Sequence, residues 1–341
     1  MIKAILIVLT LLLLQMNMFA AEVERVLIIG NSYTFCNNLP DVLMAVSRKT
    51  NHPLQVESYT AGAMSLRGFL NTPAHAKARK MLESGSYDWV VLQDQSQTPA
   101  YKPDETINSV RQWAEIAAAS GTKVVLFLTW AHAYNDRGTL KLNADMQIKT
   151  GITYCRAAMA NKAKVAPVGE AWAAWYRKHP DTPLHVQDYS HPTPMGTYLA
   201  ACVIHGTISG KAPKNIPAAL RANKRTIISL SASSAAELQK AAAYTLKRFS
   251  PQKYLQQAEE RDAELVSADE VKKETVKGTH ISKLIKQVGK PFFKAAQDDR
   301  NIYCFHIRGG KELTAYCNSC GIIEQLSISA PDSMAEIIDL R

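Results

Sequence analysis

Two short stretches hold side chains of the kinds that acyl transfer uses. Asp188-Tyr189-Ser190-His191 offers a carboxylate and an imidazole three residues apart. Gly30-Asn31-Ser32 puts a serine straight after the aliphatic run Val26-Leu27-Ile28-Ile29. One chain turn lets Asp188 hold a ring nitrogen of His191, and a serine at the lip of a strand can present its hydroxyl to that ring. Together they supply nucleophile, base and orienting acid. Pro180, Pro183, Pro192 and Pro194 flank the Asp-His stretch and stiffen it.

Those residues need elements to bring them together. Strand-like runs at Val26–Ile29, Leu54–Tyr59, Asp88–Gln93, Lys123–Trp130 and Val165–Val168 alternate with helix-like ones. The helical runs cover Asn38–Arg48, Ser65–Leu82, Glu105–Ser120, Leu140–Ala163 and Met195–Ser209. Continuous aliphatic strands are buried on both faces, so the pattern predicts a parallel sheet of about five strands between helices. In such sheets the working residues collect at the carboxyl ends of strands. Ser32, Gly62, Gln95 and Gln97 follow the first three strands, and Trp130 and His132 end the fourth. Ser234 and Glu237 read as a capping box opening a helix to Arg248.

The chain has 341 residues and a formal net charge of +10. Its Lys and Arg residues are scattered without a dense basic run, which predicts a solvated basic surface and no nucleic-acid partner. Lys3, the apolar run Ala4–Leu14 and the small pair Ala20-Ala21 read as a secretory signal peptide over residues 1–21. That run is too short for a membrane span, so the expectation is a secreted or periplasmic protein with no span once the leader is cleaved. The domain reading places a catalytic domain at 22–250, a charged helical connector at 251–288 and a small hairpin-containing region at 289–341. Cys36, Cys155 and Cys202 read as buried thiols. The cluster Cys304, Cys317 and Cys320 reads as holding a disulfide in an exported protein. A four-residue loop over Gly309–Glu312 would set Cys304 opposite Cys317. No second cysteine pair completes a zinc site, and His75, His205, Asp136 and Glu170 have no metal-ligand spacing, so neither metal nor cofactor is expected.

Gly30-Asn31-Ser32 resembles the first block of the SGNH/GDSL hydrolase superfamily, and Asp188-Tyr189-Ser190-His191 resembles its last. Gly62 falls where the second block places its glycine. The resemblance covers roughly Val23 to Gly210. It implies a flavodoxin-like three-layer α/β/α fold, with the C-terminal region as a small α+β appendage. It also implies a Ser32, His191 and Asp188 triad, with backbone N–H groups of Ser32 and Gly62 in the oxyanion hole. The third block departs from the family's Gly-x-Asn-Asp. This chain has Gln93-Asp94-Gln95-Ser96-Gln97 instead, resembling a divergent exported branch. Ungapped strand alignment puts Gln95 on the glycine and Gln97 on the asparagine. A glutamine amide can still donate to an oxyanion. Asn31, Gln93, Trp130 and His132 are further pocket candidates.

The implied activity is hydrolysis of small acyl esters, acetyl above all, on a small-molecule or carbohydrate alcohol. Two alternatives use the same residues. One is an O-acyltransferase with the same triad. The other is a carbohydrate- or surface-binding protein whose triad is vestigial.

Overall fold

The computed structural model describes residues 23–136, 139–275, 278–297, 300–309, 311–329 and 336–338. The leader read at residues 1–21 lies outside the described residues. β1 (Glu24–Gly30) leads into the single-turn helix α1 (Ser32–Phe35) and then α2 (Leu39–Ser47). β2 (Leu54–Thr60) is followed by α3 (Leu66–Asn71) and α4 (Ala76–Glu83). β3 (Trp89–Leu92) precedes α5 (Thr98–Tyr101) and α6 (Pro103–Ala119). After β4 (Lys123–Phe127) come a hairpin, β5 (Ala133–Asp136) with β6 (Thr139–Leu142), and the helix α7 (Ala144–Ala160). β7 (Lys164–Ala166) precedes α8 (Val168–Lys178) and α9 (Pro194–Ser209).

The main sheet has five parallel strands in the order β2-β1-β3-β4-β7. β1 shows why it forms: Val26 to Ile29 are all fully buried. Val26 and Ile28 join the core shared with α2, α8 and α9, while Leu27 and Ile29 join the core under α3, α4, α6 and α7. Burying each such side chain stabilises by roughly 1.5–3 kcal/mol. β1 pairs with both β2 and β3, so the chain reverses direction across the sheet at its carboxyl end. That switch point is where open α/β sheets bind ligands, and Ser32 sits there.

Local chemistry moves several boundaries. The helical reading over Ser65–Leu82 breaks at Pro73 into α3 and α4, since proline cannot continue the hydrogen-bond ladder. Leu140 and Leu142 lie in β6, and α7 starts only after Asn143, whose side chain accepts from the Met146 N–H as an N-cap. A second hairpin, β8 (Ala219–Ala222) with β9 (Arg225–Ser229), precedes α10 (Ala232–Arg248). Ser231, not Ser234, caps α10, accepting from the Ser234 N–H at 3.0 Å.

The connector is three helices, α11 (Pro251–Ala263), α12 (Ala268–Glu274) and α13 (Ile281–Val288). Beyond it lies an antiparallel sheet rather than one hairpin: β10 (Phe293–Gln297), β11 (Arg300–Ile307), β12 (Lys311–Asn318), β13 (Ile323–Ser329) and β14 (Glu336–Ile338). It encloses its own core of Val271, Ile281, Leu284, Phe305, Leu313 and Leu326. Lys149 of α7 bonds Glu312 at 2.5 Å, and Asp145 meets His306 at 3.2 Å. Ile307 faces Lys311, so the β11–β12 turn is shorter than the expected loop and shifts the register. Cys304 therefore faces Thr314 and Cys317 faces Asn301. All six cysteines are free thiols, so the cluster forms no disulfide.

Candidate active site

Ser32 opens α1 directly after β1. Its turn is held from behind by Gln93, which is fully buried. Gln93 Oε1 accepts from the Asn31 N–H at 2.8 Å and the Thr34 hydroxyl at 3.0 Å. Gly30 is required here for space: a Cβ at this position would meet Thr34 Oγ1 and the Gln93 side chain. Asn31 caps α1 by accepting from the Tyr33 N–H at 3.1 Å. Its amide donates to the Met64 carbonyl at 3.1 Å and the Asp94 carbonyl at 3.4 Å. Asn31, Gln93 and Trp130 are thus at most 2% exposed and do not front an open pocket. They build its back wall because each spends its polar atoms on neighbouring protein groups.

The loop carrying the acid and base is closed at its root. Thr193 N–H donates to Leu184 O at 2.7 Å and Val186 N–H to His191 O at 2.9 Å. His185 pins it from below. Its Nε2 donates to Ala131 O at 3.0 Å, and its Nδ1 accepts from Tyr176 Oη at 2.8 Å. Burial pushes this imidazole down to about 4, with the Ala131 carbonyl opposing, so it stays neutral and structural. Asn37 Nδ2 ties the nucleophile segment to the same loop through Pro192 O and to α9 through Thr197 Oγ1, both at 2.9 Å.

Within the loop, Tyr189 takes the left-handed conformation with φ of 60°. A non-glycine residue there costs on the order of 1 kcal/mol. The turn it makes aims the N–H groups of Ser190 and His191 at Asp188 Oδ1, each at 2.9 Å. The other carboxylate oxygen, Oδ2, holds His191 Nδ1 at 2.6 Å. His191 Nε2 then lies 2.9 Å from Ser32 Oγ. Partial burial raises the Asp188 carboxyl, but the two backbone N–H bonds and the imidazole outweigh it and leave it at about 2. Asp188 is therefore an anion wherever His191 is in use.

Two residues that sequence reasoning did not single out join nucleophile to base. Tyr33 Oη lies 2.7 Å from Ser190 Oγ, and Ser190 Oγ lies 3.2 Å from His132 Nε2. His132 Nε2 also meets Ser96 Oγ at 3.2 Å. Burial pushes the Tyr33 phenol up to about 12, against hydrogen bonds from Ser190 and Ser96. Burial also lowers the His132 imidazole, against the pull of Asp188. A neutral phenol and a neutral imidazole let the chain run from Tyr33 O–H through Ser190 O–H to His132 Nε2. Tyr33 stacks on Trp130 at 4.5 Å, and Trp130 stacks on Trp172 at 3.9 Å and donates to Ser190 O at 2.9 Å. The only sequence signal for this clamp was adjacency: Tyr33 follows Ser32, and Ser190 precedes His191.

Of the oxyanion candidates, Ser32 N–H and Gly62 N–H donate no hydrogen bond among the described residues. Ala61 N–H donates to Gly30 O at 3.2 Å, which sets Gly62 beside the end of β1. Gly62 is exposed with open space around it, and the positive φ of that turn belongs to Ala63. Gln95 Oε1 accepts from the N–H groups of Gln97 at 2.7 Å and Thr98 at 3.1 Å. With its carbonyl so fixed, its amide nitrogen turns to Ser96 Oγ at 3.4 Å, next to the His132–Ser190 chain. Gln97 is exposed, and its side chain has no hydrogen bond among the described residues. No group of three or more His, Cys, Asp and Glu residues could hold a metal among the described residues. No helix there is long and apolar enough to cross a membrane.

No protein-family model matches the chain, and no curated protein matches it either. Solved structures do. A DUF4886 family protein from Bacteroides uniformis is similar with a TM-score of 0.50 and 16% identity, over 67% of this chain and 96% of that one. A candidate SGNH hydrolase from Slackia heliotrinireducens has 29% identity and a TM-score of 0.47, over 55% of this chain and all of that one. An acetyl xylan esterase, AlAXEase, has 13% identity and a TM-score of 0.43, over 53% of this chain and 97% of that one. The likeness to the Bacteroides uniformis protein is one of fold.

Proposed function

We propose that this chain is a serine ester hydrolase of the SGNH type, acting on small acyl esters of carbohydrates. One observation carries the reading: His191 Nε2 is 2.9 Å from Ser32 Oγ while its Nδ1 is 2.6 Å from Asp188 Oδ2. A serine, an imidazole and a carboxylate in series are the arrangement that activates a hydroxyl. Phe35 and Tyr189, close in sequence to Ser32 and His191, carry exposed rings of the kind that sugar alcohols pack against. The acetyl group and export rest on the motif resemblance and the leader.

Ser32 Oγ attacks the ester carbonyl as its proton passes to His191 Nε2. Asp188 holds Nδ1–H and steadies the imidazolium. The oxyanion takes N–H groups from Ser32 and Gly62 and the Gln95 amide. Collapse breaks the ester C–O bond, and His191 returns the proton to the leaving alcohol. Water, deprotonated by His191, then attacks the acyl-serine and releases the carboxylic acid and free Ser32.

The test is hydrolysis of p-nitrophenyl acetate together with labelling by a fluorophosphonate probe. The expected result is turnover, one label on Ser32, and loss of at least about 10⁴-fold in kcat in Ser32→Ala. A folded protein with neither turnover nor label would overturn the reading.

A further inference from the structure

We propose a second binding site, for an acidic sugar chain, in the groove between α8, α10, α11 and the β5–β6 hairpin. The groove encloses about 780 Å³, within the range of roughly 300–1,000 Å³ found for ligand sites. Helical spacing sorts its charge. α11 turns Lys253, Gln257 and Arg261 into the groove, four residues apart, and keeps Glu259 and Glu260 off it. α8 adds Arg177 and α10 adds Arg248, while Glu170 is the only acid among the lining residues. Among the described residues Arg177, Arg248, Lys253 and Arg261 are in no salt bridge. Arg177 lies far upstream of Arg248, Lys253 and Arg261, so the fold is what completes the patch.

The floor is a built polar site. Gly151 of α7 leaves space that the Tyr254 ring fills; a Cβ there would strike the ring. Tyr254 Oη donates to Glu170 Oε1 at 3.2 Å, and Gln147 Nε2 donates to the same oxygen at 3.1 Å. Glu170 Oε2 has no protein partner among the described residues. Burial raises this carboxyl, with Gln147, Tyr254, Arg177 and Arg261 opposing. A free carboxyl oxygen accepts a sugar hydroxyl, and unpaired guanidinium groups take carboxylates. Tyr134, 49% exposed, supplies a ring face on the wall, while the Tyr244 ring props the Arg248 guanidinium, 4.0 Å from its centroid. An anion without hydroxyls leaves Glu170 unused, and a neutral sugar leaves the cations unused.

One wall of the groove is tied to the Asp-His loop: Tyr134 follows Ala133, whose N–H donates to Tyr189 O at 2.8 Å.

Calorimetric titration of trigalacturonate into the Ser32→Ala protein tests the site without turnover. The expected dissociation constant is below about 1 mM. Arg177→Gln/Arg261→Gln, and separately Lys253→Gln, are expected to weaken binding, the double variant by at least about tenfold. Cellotriose and hexanoate are expected to bind at least about tenfold more weakly than trigalacturonate. No binding, equal binding by either control, or unchanged affinity in the double variant would overturn the proposal. With Ser32 intact, the wild-type protein should hydrolyse p-nitrophenyl acetate. Absence of that hydrolysis would sink the esterase reading and leave the binding result standing.

Discussion

Tyr33 Oη stands 2.7 Å from Ser190 Oγ, joining the residue after the candidate nucleophile to the residue before the candidate base across 157 positions. Few contacts could fix the Ser32–His191 distance more directly. Tyr33→Phe keeps the stack on Trp130 and removes only the hydroxyl. The expected outcome is a loss of about 1 kcal/mol in stability and a fall in kcat of about tenfold with KM little changed. Steady-state kinetics with a denaturant melt checks it. A stability loss with unchanged kcat would leave Tyr33 a packing residue only.

The Asp188 carboxyl should titrate at about 2. A depressed folded value means that the loop's stabilisation is fully present above the ordinary carboxylate pKa, about 3.9, and is lost as pH falls through 2. Carbon-detected NMR of the carboxyl reads this directly. His191→Ala removes the imidazole and one source of the depression, so the midpoint should rise. Asp188→Asn keeps the loop's shape but reverses the hydrogen bond to Nδ1, and kcat should drop by about 10⁴-fold. A midpoint near 4 in the wild type would mean that the backbone N–H bonds are not made in solution.

The sheet was legible because both of its faces are buried: Val26–Ile29 and Val124–Leu128 have no polar alternation to mislead. Ser32, Asp188 and His191 were legible because spacing and strand position are local facts, and the structure brings all three into hydrogen-bonding range. The β5–β6 hairpin was not, since Leu140 and Leu142 keep a strand's spacing of two over too short a run to stand apart from the helical stretch that follows. The His185–Tyr176 pin and the Tyr33–Ser190–His132 chain were invisible because each joins elements distant in sequence. Register in the C-terminal sheet turned on one loop length, and a shorter turn moved Cys304 from Cys317 to Thr314.

Gly30 offers a test of the back wall. Its φ is not in the left-handed region, so the residue is there for close approach and not for a turn. Gly30→Ala forces a methyl against Thr34 and Gln93. Displacing Gln93 frees the Asn31 N–H and loosens the turn that carries Ser32. We expect a loss of about 1–3 kcal/mol and a lower kcat. Gln93→Ala in the same background should recover part of the stability, because it removes the struck side chain. An unchanged melting temperature in Gly30→Ala would show that the Gln93 side chain does not cross behind Gly30.

The third-block glutamines separate most cleanly at Gln95. Its carbonyl oxygen is held by the Gln97 and Thr98 N–H groups, so its amide nitrogen is the group with a fixed direction. Gln97 has no such anchor. Gln95→Glu retains an oxygen for the α5 N–H groups and removes the N–H donor, so the fold should hold while turnover falls. A lost oxyanion donor lowers kcat by about 10²–10³-fold. Gln97→Ala should change kcat by less than about threefold, as expected for an exposed side chain without partners. Comparing kcat for the two variants at matched melting temperatures decides the matter. A larger loss in Gln97→Ala would assign the donor to Gln97, as the ungapped strand alignment has it.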